Sequence, residues 1–440
     1  MNYLELLYKG EYDRLVREAL PLAETNPDAA RALLRLCQGR NNFFLMAPAT
    51  VELLQSQAKA GNRYAQYAFA RYHVFVRNSE DSIKLSYDNM LAAAEQNLPD
   101  AVAGLASSID YGDMGWVDRE RAADLMDKAF RAGSELAAIY RLKEYCFGKH
   151  FVPAQTDKAE ELANDLILHD EKAGHDVNGY WYFYRACARE GRFGRSSITV
   201  SEDYRRALKL GILDAYADLI MAAGYGDEGA VLRMTNEYNR LIEEGMQRNY
   251  AGAYYLDAVA ELQGYDALED TSNDLGHERE NRTPELMKAS HEKILARFTR
   301  AAELGDNASF EMLGDLYQEG GYGFEQNDEM AFACYSRGIV RDHLGCVEKA
   351  WKMMHDHLID RPLDYMDSLA ILGARWDSKR LLAETVIAHQ QGRLQDCDEE
   401  ITKYYDPIFD APEFSLDDDE DYLDDDDDFE EDDGRYDAWA

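Results

Sequence analysis

The chain has 440 residues, 46% of them hydrophobic, with 47 Lys+Arg against 85 Asp+Glu and a formal net charge of -38 at pH 7. That is enough apolar material for a long core, inside a field that repels nucleic acid and anionic membranes and draws in basic partners. No apolar run approaches the roughly 20 residues of a bilayer span. The opening MNYLELLYKGEYDRL has no basic stretch followed by an apolar one, so no secretory leader is expected. Six scattered cysteines without a CxxC spacing read as buried, reduced thiols, and with no leader they predict the cytoplasm.

Residues 1–60 read as helices ("YLELLYKGEYDRLVREAL", "PDAARALLRLC", "APATVELLQSQAKAG") and are expected to form an N-terminal helical cap. From residue 61 small residues recur among Leu and Tyr. Gly61, Asn97, Gly133, Gly174 and Gly211 each end one run and open the next, at intervals of 36, 36, 41 and 37 residues. Ala65, Ala101 and Ala137 follow the first three anchors by four positions, a weaker copy lies near Gly245, and a degenerate one starts near Arg341. Runs such as "VDRERAADLMDKAF", "TDKAEELANDLI", "SEDYRRALKLG" and "NDEMAFACYSRG" place an acidic or hydroxyl cap before an Ala-bearing helix. The clearest copy starts at Gly305, where Gly314 falls inside a helix. Glycine there costs about 1 kcal/mol relative to Ala, so Gly314 is expected to admit a large side chain from the next helix. A helix pair of this length cannot bury such faces alone, whereas stacked copies can.

The predicted fold is all-α: a right-handed α-solenoid of helix-turn-helix repeats over residues 61–265 and 285–355. Residues 266–284 are predicted to be a polar insertion loop and residues 356–411 a C-terminal helical cap. Past Pro412, 14 acidic and no basic residues lie between Asp417 and Asp433. Like charges at that density predict a disordered acidic tail over 412–440.

Ala301, Ala302, Gly305, Ser309, Leu313, Gly314, Tyr317 and Gly320 resemble the pattern of the Sel1-like repeat family, relatives of the tetratricopeptide class. The other copies are looser: Asn97 replaces the junction Gly, Asn178 the following Ala, and Ala106 the mid-helix Gly. The resemblance implies protein–protein interaction or adaptor work and supplies no catalytic residues.

Candidate contact residues come from two places. "YWYFYRACAREGRFGR" sets Arg185, Arg189 and Arg192 three or four residues apart on one helical face beside Tyr182. That face reads either as a docking site for an acidic peptide or as an arginine edge balancing nearby carboxylates. In the tail, Tyr422, Phe429 and Trp439 interleave with acid, which reads either as a linear docking element or as a solvating segment. His343, Cys346, His355 and His357 include an i, i+3 pair suited to zinc, but the position of Cys346 reads as repeat packing. GxxxxGK[ST], GxSxG and HExxH patterns are missing, so no cofactor, no metal and no enzyme activity is expected. The expected function is a scaffold or adaptor that holds a basic protein segment in the solenoid groove, assisted by the tail. The alternative is an acidic nucleic-acid mimic or immunity-type inhibitor of a basic toxin or nucleic-acid-binding protein.

Overall fold

The computed structural model describes residues 2–76, 81–112, 117–149, 152–195, 197–224, 236–269, 284–341, 343–375 and 378–393. Tail residues 412–440, with Tyr422, Phe429 and Trp439, lie outside them, as do residues 394–411 of the expected C-terminal cap. Among the described residues the chain is all-α, with two isolated backbone bridges and no strand.

Five helices precede the repeats: α1 (Tyr3–Tyr8), α2 (Tyr12–Ala19), α3 (Pro27–Leu36), α4 (Arg40–Phe44) and α5 (Pro48–Lys59). Pairs then follow in order: α6 and α7 (Arg63–Val76, Ser82–Glu95), α8 and α9 (Pro99–Tyr111, Arg119–Arg131), α10 and α11 (Glu135–Phe147, Thr156–Ala173), and α12 and α13 (Gly179–Phe193, Ile198–Lys209). Next come α14 and α15 (Ala215–Gly224, Asn236–Gln247), α16 and α17 (Ala251–Glu269, Pro284–Glu303), and α18 and α19 (Ala308–Glu319, Asp328–Val340). The last described helices are α20 and α21 (Leu344–His355, Leu363–Arg375) and α22 (Lys379–Gln390). Helix α16 runs through Glu269, so the described part of the stretch expected as a loop from residue 266 is helical.

Each helix packs chiefly on its neighbours in the chain, and the first helices of successive pairs also touch, as α8 does α10 and α10 does α12. That is the stacking of an α-solenoid. The turn between pairs needs one residue in the left-handed region. Gly61, Asn97, Gly133, Gly174, Gly211 and Gly305 supply it, with φ of 88°, 57°, 83°, 68°, 87° and 98°. In the weaker copy the turn residue is Asn249 (φ 52°), 38 residues after Gly211. Gly245, which marked that copy in the sequence, lies inside α15, where an added Cβ would come within 2.7 Å of the Ala253 Cβ.

The small-residue register is a packing register. Ala65, Ala101 and Ala137 are each fully buried. A methyl built on Gly314 would overlap the ring of Tyr335 on α19, whose hydroxyl donates to Asp315 Oδ1 at 2.7 Å. Gly314 is the socket that its place in the helix predicts.

The first four helices do more than abut α5 and α6. They lie along the edge of the solenoid where the junction turns lead into α10, α12, α14, α16 and α18. Gly211 packs under Tyr8, whose carbonyl accepts from Arg248 at 3.3 Å. Asn41 Oδ1 accepts from the Ala251 amide at 3.4 Å. Gly305 is doubly constrained: its φ is left-handed, and a side chain there would overlap the Phe44 ring, over which the Arg341 guanidinium also sits at 5.2 Å. No described helix is long and apolar enough to cross a membrane.

Candidate protein-binding cleft

The junction edge is acidic for a local reason. A helix begins with unsatisfied N–H groups and a positive dipole end, so caps and acids collect in its first turn. Ser134 caps α10 by accepting from the Ala137 amide at 3.0 Å, and Glu135 follows it. Asn178 caps α12 by accepting from the Tyr180 amide at 3.0 Å. Asp100 sits in the first turn of α8, and Asp214 immediately precedes α14. Stacking the pairs brings these groups together along one edge.

Part of that edge is covered by the chain itself. Arg35 of α3 forks onto Glu135, with Nη2 at 2.8 Å from Oε1 and Nε at 3.0 Å from Oε2, and also donates to the Asp176 carbonyl at 2.9 Å. Gln38 Nε2 adds a bond to Glu135 at 3.1 Å, and Asn178 Nδ2 donates to both Glu135 (2.8 Å) and Gln38 (2.9 Å). Burial alone would push the Glu135 carboxyl up, but Arg35, with Gln38 and Asn178, holds it below the usual carboxylate range. Farther along, Arg40 of α4 and Asp214 line a small cavity of about 30 Å³. Asp214 keeps some accessible area yet is surrounded by protein atoms; that burial, with the charge of Asp218, pushes its carboxyl up to about 8 against the pull of Arg40.

Beside α3 the same edge opens into a cleft of about 800 Å³ between α3, the start of α8, the α9–α10 turn and the α11–α12 connection. Four carboxylates line it (Glu24, Asp100, Glu135, Asp170) against two guanidiniums (Arg31, Arg131), with apolar walls from Leu34, Phe130, Leu166 and Trp181. Three of the four are engaged. Glu24 pairs with Arg63 at 2.9 Å, Asp170 accepts from Trp181 Nε1 at 2.9 Å, and Glu135 has Arg35. Asp100 is served on one oxygen: Oδ1 accepts from the Ser134 hydroxyl at 2.5 Å, while Oδ2 makes no hydrogen bond. Burial pushes its carboxyl up to about 6, opposed by the Ser134 bond.

The residues singled out in the sequence lie elsewhere. Arg185, Arg189 and Arg192 do share a face of α12, and that face is turned onto acids of α11 and α13. Arg185 forks onto Asp203 (2.8 and 2.6 Å) and reaches Asn164 at 2.8 Å. Arg189 bridges Glu160 at 2.8 Å and Asp203 at 2.9 Å, and Arg192 also pairs with Glu160. Tyr182 is flanked by the guanidiniums of Arg185 and Arg206, 5.2 and 5.6 Å from its ring centre. These donors tie three helices together.

The His343–Cys346 pair is likewise built into packing. His343 Nε2 lies 2.7 Å from Glu311 Oε2, Glu311 also pairs with Lys349 at 3.0 Å, and Cys346 is fully buried under Gly338. Burial would raise the Glu311 carboxyl, but His343 and Lys349 bring it down to about 2. Among the described residues no group of three or more His, Cys, Asp or Glu is placed to hold a metal ion. The sequence did carry a signal for the cleft: Asp100 stands three residues after a junction residue, in the register that the small residues had already defined.

The fold and its edge define a helical-repeat solenoid whose helix junctions carry acid. No protein-family model matches the chain, and no curated protein matches it. It is similar to a solved Sel1 repeat protein from Oxalobacter formigenes, at 16% identity and a TM-score of 0.33 over 75% of this chain and 87% of that one. It is also similar to a protective antigen of uropathogenic Escherichia coli displaying an SLR fold, at 16% identity and a TM-score of 0.32 over 87% of this chain and 75% of that one. The repeat architecture rests on the chain's own junctions and helix pairs.

Proposed function

We propose that the chain is a non-enzymatic interaction scaffold that holds a basic segment of a protein partner in the cleft beside α3. One observation carries this reading. Where the chain's own helices cover the junction edge, they set Arg35 on Glu135 and bring Arg40 near Asp214, and the cleft beside α3 is lined by four carboxylates against two guanidiniums. A volume near 800 Å³ falls in the range that accommodates a few side chains of a bound segment. The Arg185–Arg192 face does not line this cleft and pairs with Glu160 and Asp203. Acid in residues 412–440 adds long-range attraction and faster association with a basic partner.

The test uses the full chain and a pool of extended peptides bearing arginine or lysine, against a pool with glutamate in their place. Basic peptides are expected to bind at low ionic strength and to weaken steadily with added salt. Equal binding of both pools, or of neither, would sink the proposal. Deleting residues 412–440 is expected to slow association and leave binding intact. Abolished binding would favour the nucleic-acid-mimic reading instead.

A further inference from the structure

The cleft beside α3 has two further titratable groups on its wall, and both face solvent. His169 lies near the end of α11, and His175 follows the left-handed Gly174 that closes that helix. The segment between them is pinned. Asp170 accepts from Trp181 Nε1 at 2.9 Å and from the Asn178 amide at 3.3 Å, and its carbonyl accepts from the His175 amide at 2.9 Å. Among the described residues neither imidazole makes a hydrogen bond or an ion pair. The fixed charges around them are Glu24, Asp100, Glu135 and Asp170 against Arg31 and Arg131, four against two, a net of -2, with the Tyr64 phenol on the α6 side. Glu171, Lys172 and Asp176 are exposed neighbours in the same segment and do not line the cleft.

Imidazole is the side chain whose charge ordinarily changes between about pH 5 and pH 8, a range in which guanidiniums keep theirs. Glu135 also keeps its charge, since Arg35 outweighs its burial and holds it below the usual carboxylate range. Two imidazolium charges therefore take the lining from a net of -2 to zero. Asp100 shifts the balance in the same direction, because burial has pushed its carboxyl up to about 6. A cation seated in the cleft is then met by like charge on the wall that carried none.

We propose that His169 and His175 make the cleft's hold on a basic segment depend on pH: neutral imidazoles admit the segment, and imidazoliums release it. The proposal rests on the interaction reading above and adds its regulation.

The experiment takes the tightest-binding basic peptide of the pool, capped at both ends and with arginine or lysine as its only titratable side chains. Its affinity for the full chain is measured at about pH 7.5 and about pH 5.5, at one low ionic strength. The unaltered chain is expected to bind about tenfold more weakly at the lower pH. With His169→Gln and His175→Gln together, that ratio is expected to fall to about twofold or less, whereas His169→Lys with His175→Lys is expected to bind weakly at both pH values. Equal binding of the unaltered chain at both pH values overturns the proposal and leaves the scaffold reading standing. So does a Gln pair that keeps most of the ratio, which would assign the dependence to Asp100. If no peptide binds the unaltered chain at the higher pH, both readings fall. Should either pair fail to fold, the unaltered chain decides: by linkage, bound peptide is expected to move the titration of two of the ten histidine resonances to lower pH. Resonances that titrate alike with and without peptide overturn the proposal.

Discussion

The junctions before α8 and before α14 are built alike and finished differently. Each turns on a left-handed residue and places an aspartate three positions later, yet Asp214 lines a small cavity with Arg40 while Asp100 accepts from Ser134 beside a much larger cleft. The junction before α20 is more closed still, with His343 and Lys349 both set on Glu311. The non-repeated N-terminal helices supply the cation for Glu135, whereas repeat residues supply those for Glu311.

Breaking a satisfied position has the largest expected effect. Arg35→Ala leaves Glu135 enclosed without its cation and is expected to cost about 3 kcal/mol in urea unfolding. Asp100→Ala, which removes a carboxylate served on one side only, is expected to cost about 1 kcal/mol. Equal losses would erase the distinction between the two kinds of junction. Next comes the packing register: Gly314→Ala drives a methyl into the Tyr335 ring and is expected to cost about 2 kcal/mol, with most of it restored by adding Tyr335→Leu. Failure of that rescue would place the constraint elsewhere.

A smaller effect sharpens the comparison through pH. The folded carboxyls of Asp100 and Asp214, at about 6 and about 8, lie above their unfolded value, which is about 3.9. Folding therefore binds protons at these sites. Their contribution is whole below pH 4 and is lost as pH rises through 6 and 8. Asp214→Asn is expected to lose less stability between pH 5 and pH 6 than the unaltered chain, by on the order of 1 kcal/mol. Parallel pH profiles would show that Asp214 does not titrate in that window. Glu311 runs the other way: its contribution is present above about pH 4.5 and is lost as pH falls toward 2. The smallest expected change is Arg185→Lys, which gives up the fork on Asp203 for a single contact and is expected to cost less than about 1 kcal/mol in urea unfolding.

Much of this architecture was legible because it is local. A left-handed turn needs Gly or Asn, and buried neighbours four positions later need Ala, so the register could be followed from Gly61 to Gly305. The miss at Gly245 has the same physics behind it: glycine serves both left-handed turns and close helix contacts, and here it served the second while Asn249 took the turn. The Arg185 face was visible from its spacing, and its partners Glu160 and Asp203 sat in runs already read as second helices. The position of the first four helices was not legible. Amphipathic spacing says that a face is buried without saying against what, and Arg35 and Glu135 are 100 residues apart with nothing local to link them.

Phe44 rests on Gly305 and beneath Arg341, so an early stretch of polypeptide finds its seat only after some three hundred further residues have been made. Repeat rods ordinarily fold by neighbour-to-neighbour zippering, with little need of distant contacts. This one carries a long-range closure step on top of the zipper, and long loop closures are slow. Until the distant turns exist, Tyr8 and Phe44 lack the Gly211 and Gly305 surfaces they rest against. During synthesis on the ribosome that interval is when the chain is most exposed to aggregation and most in need of a chaperone.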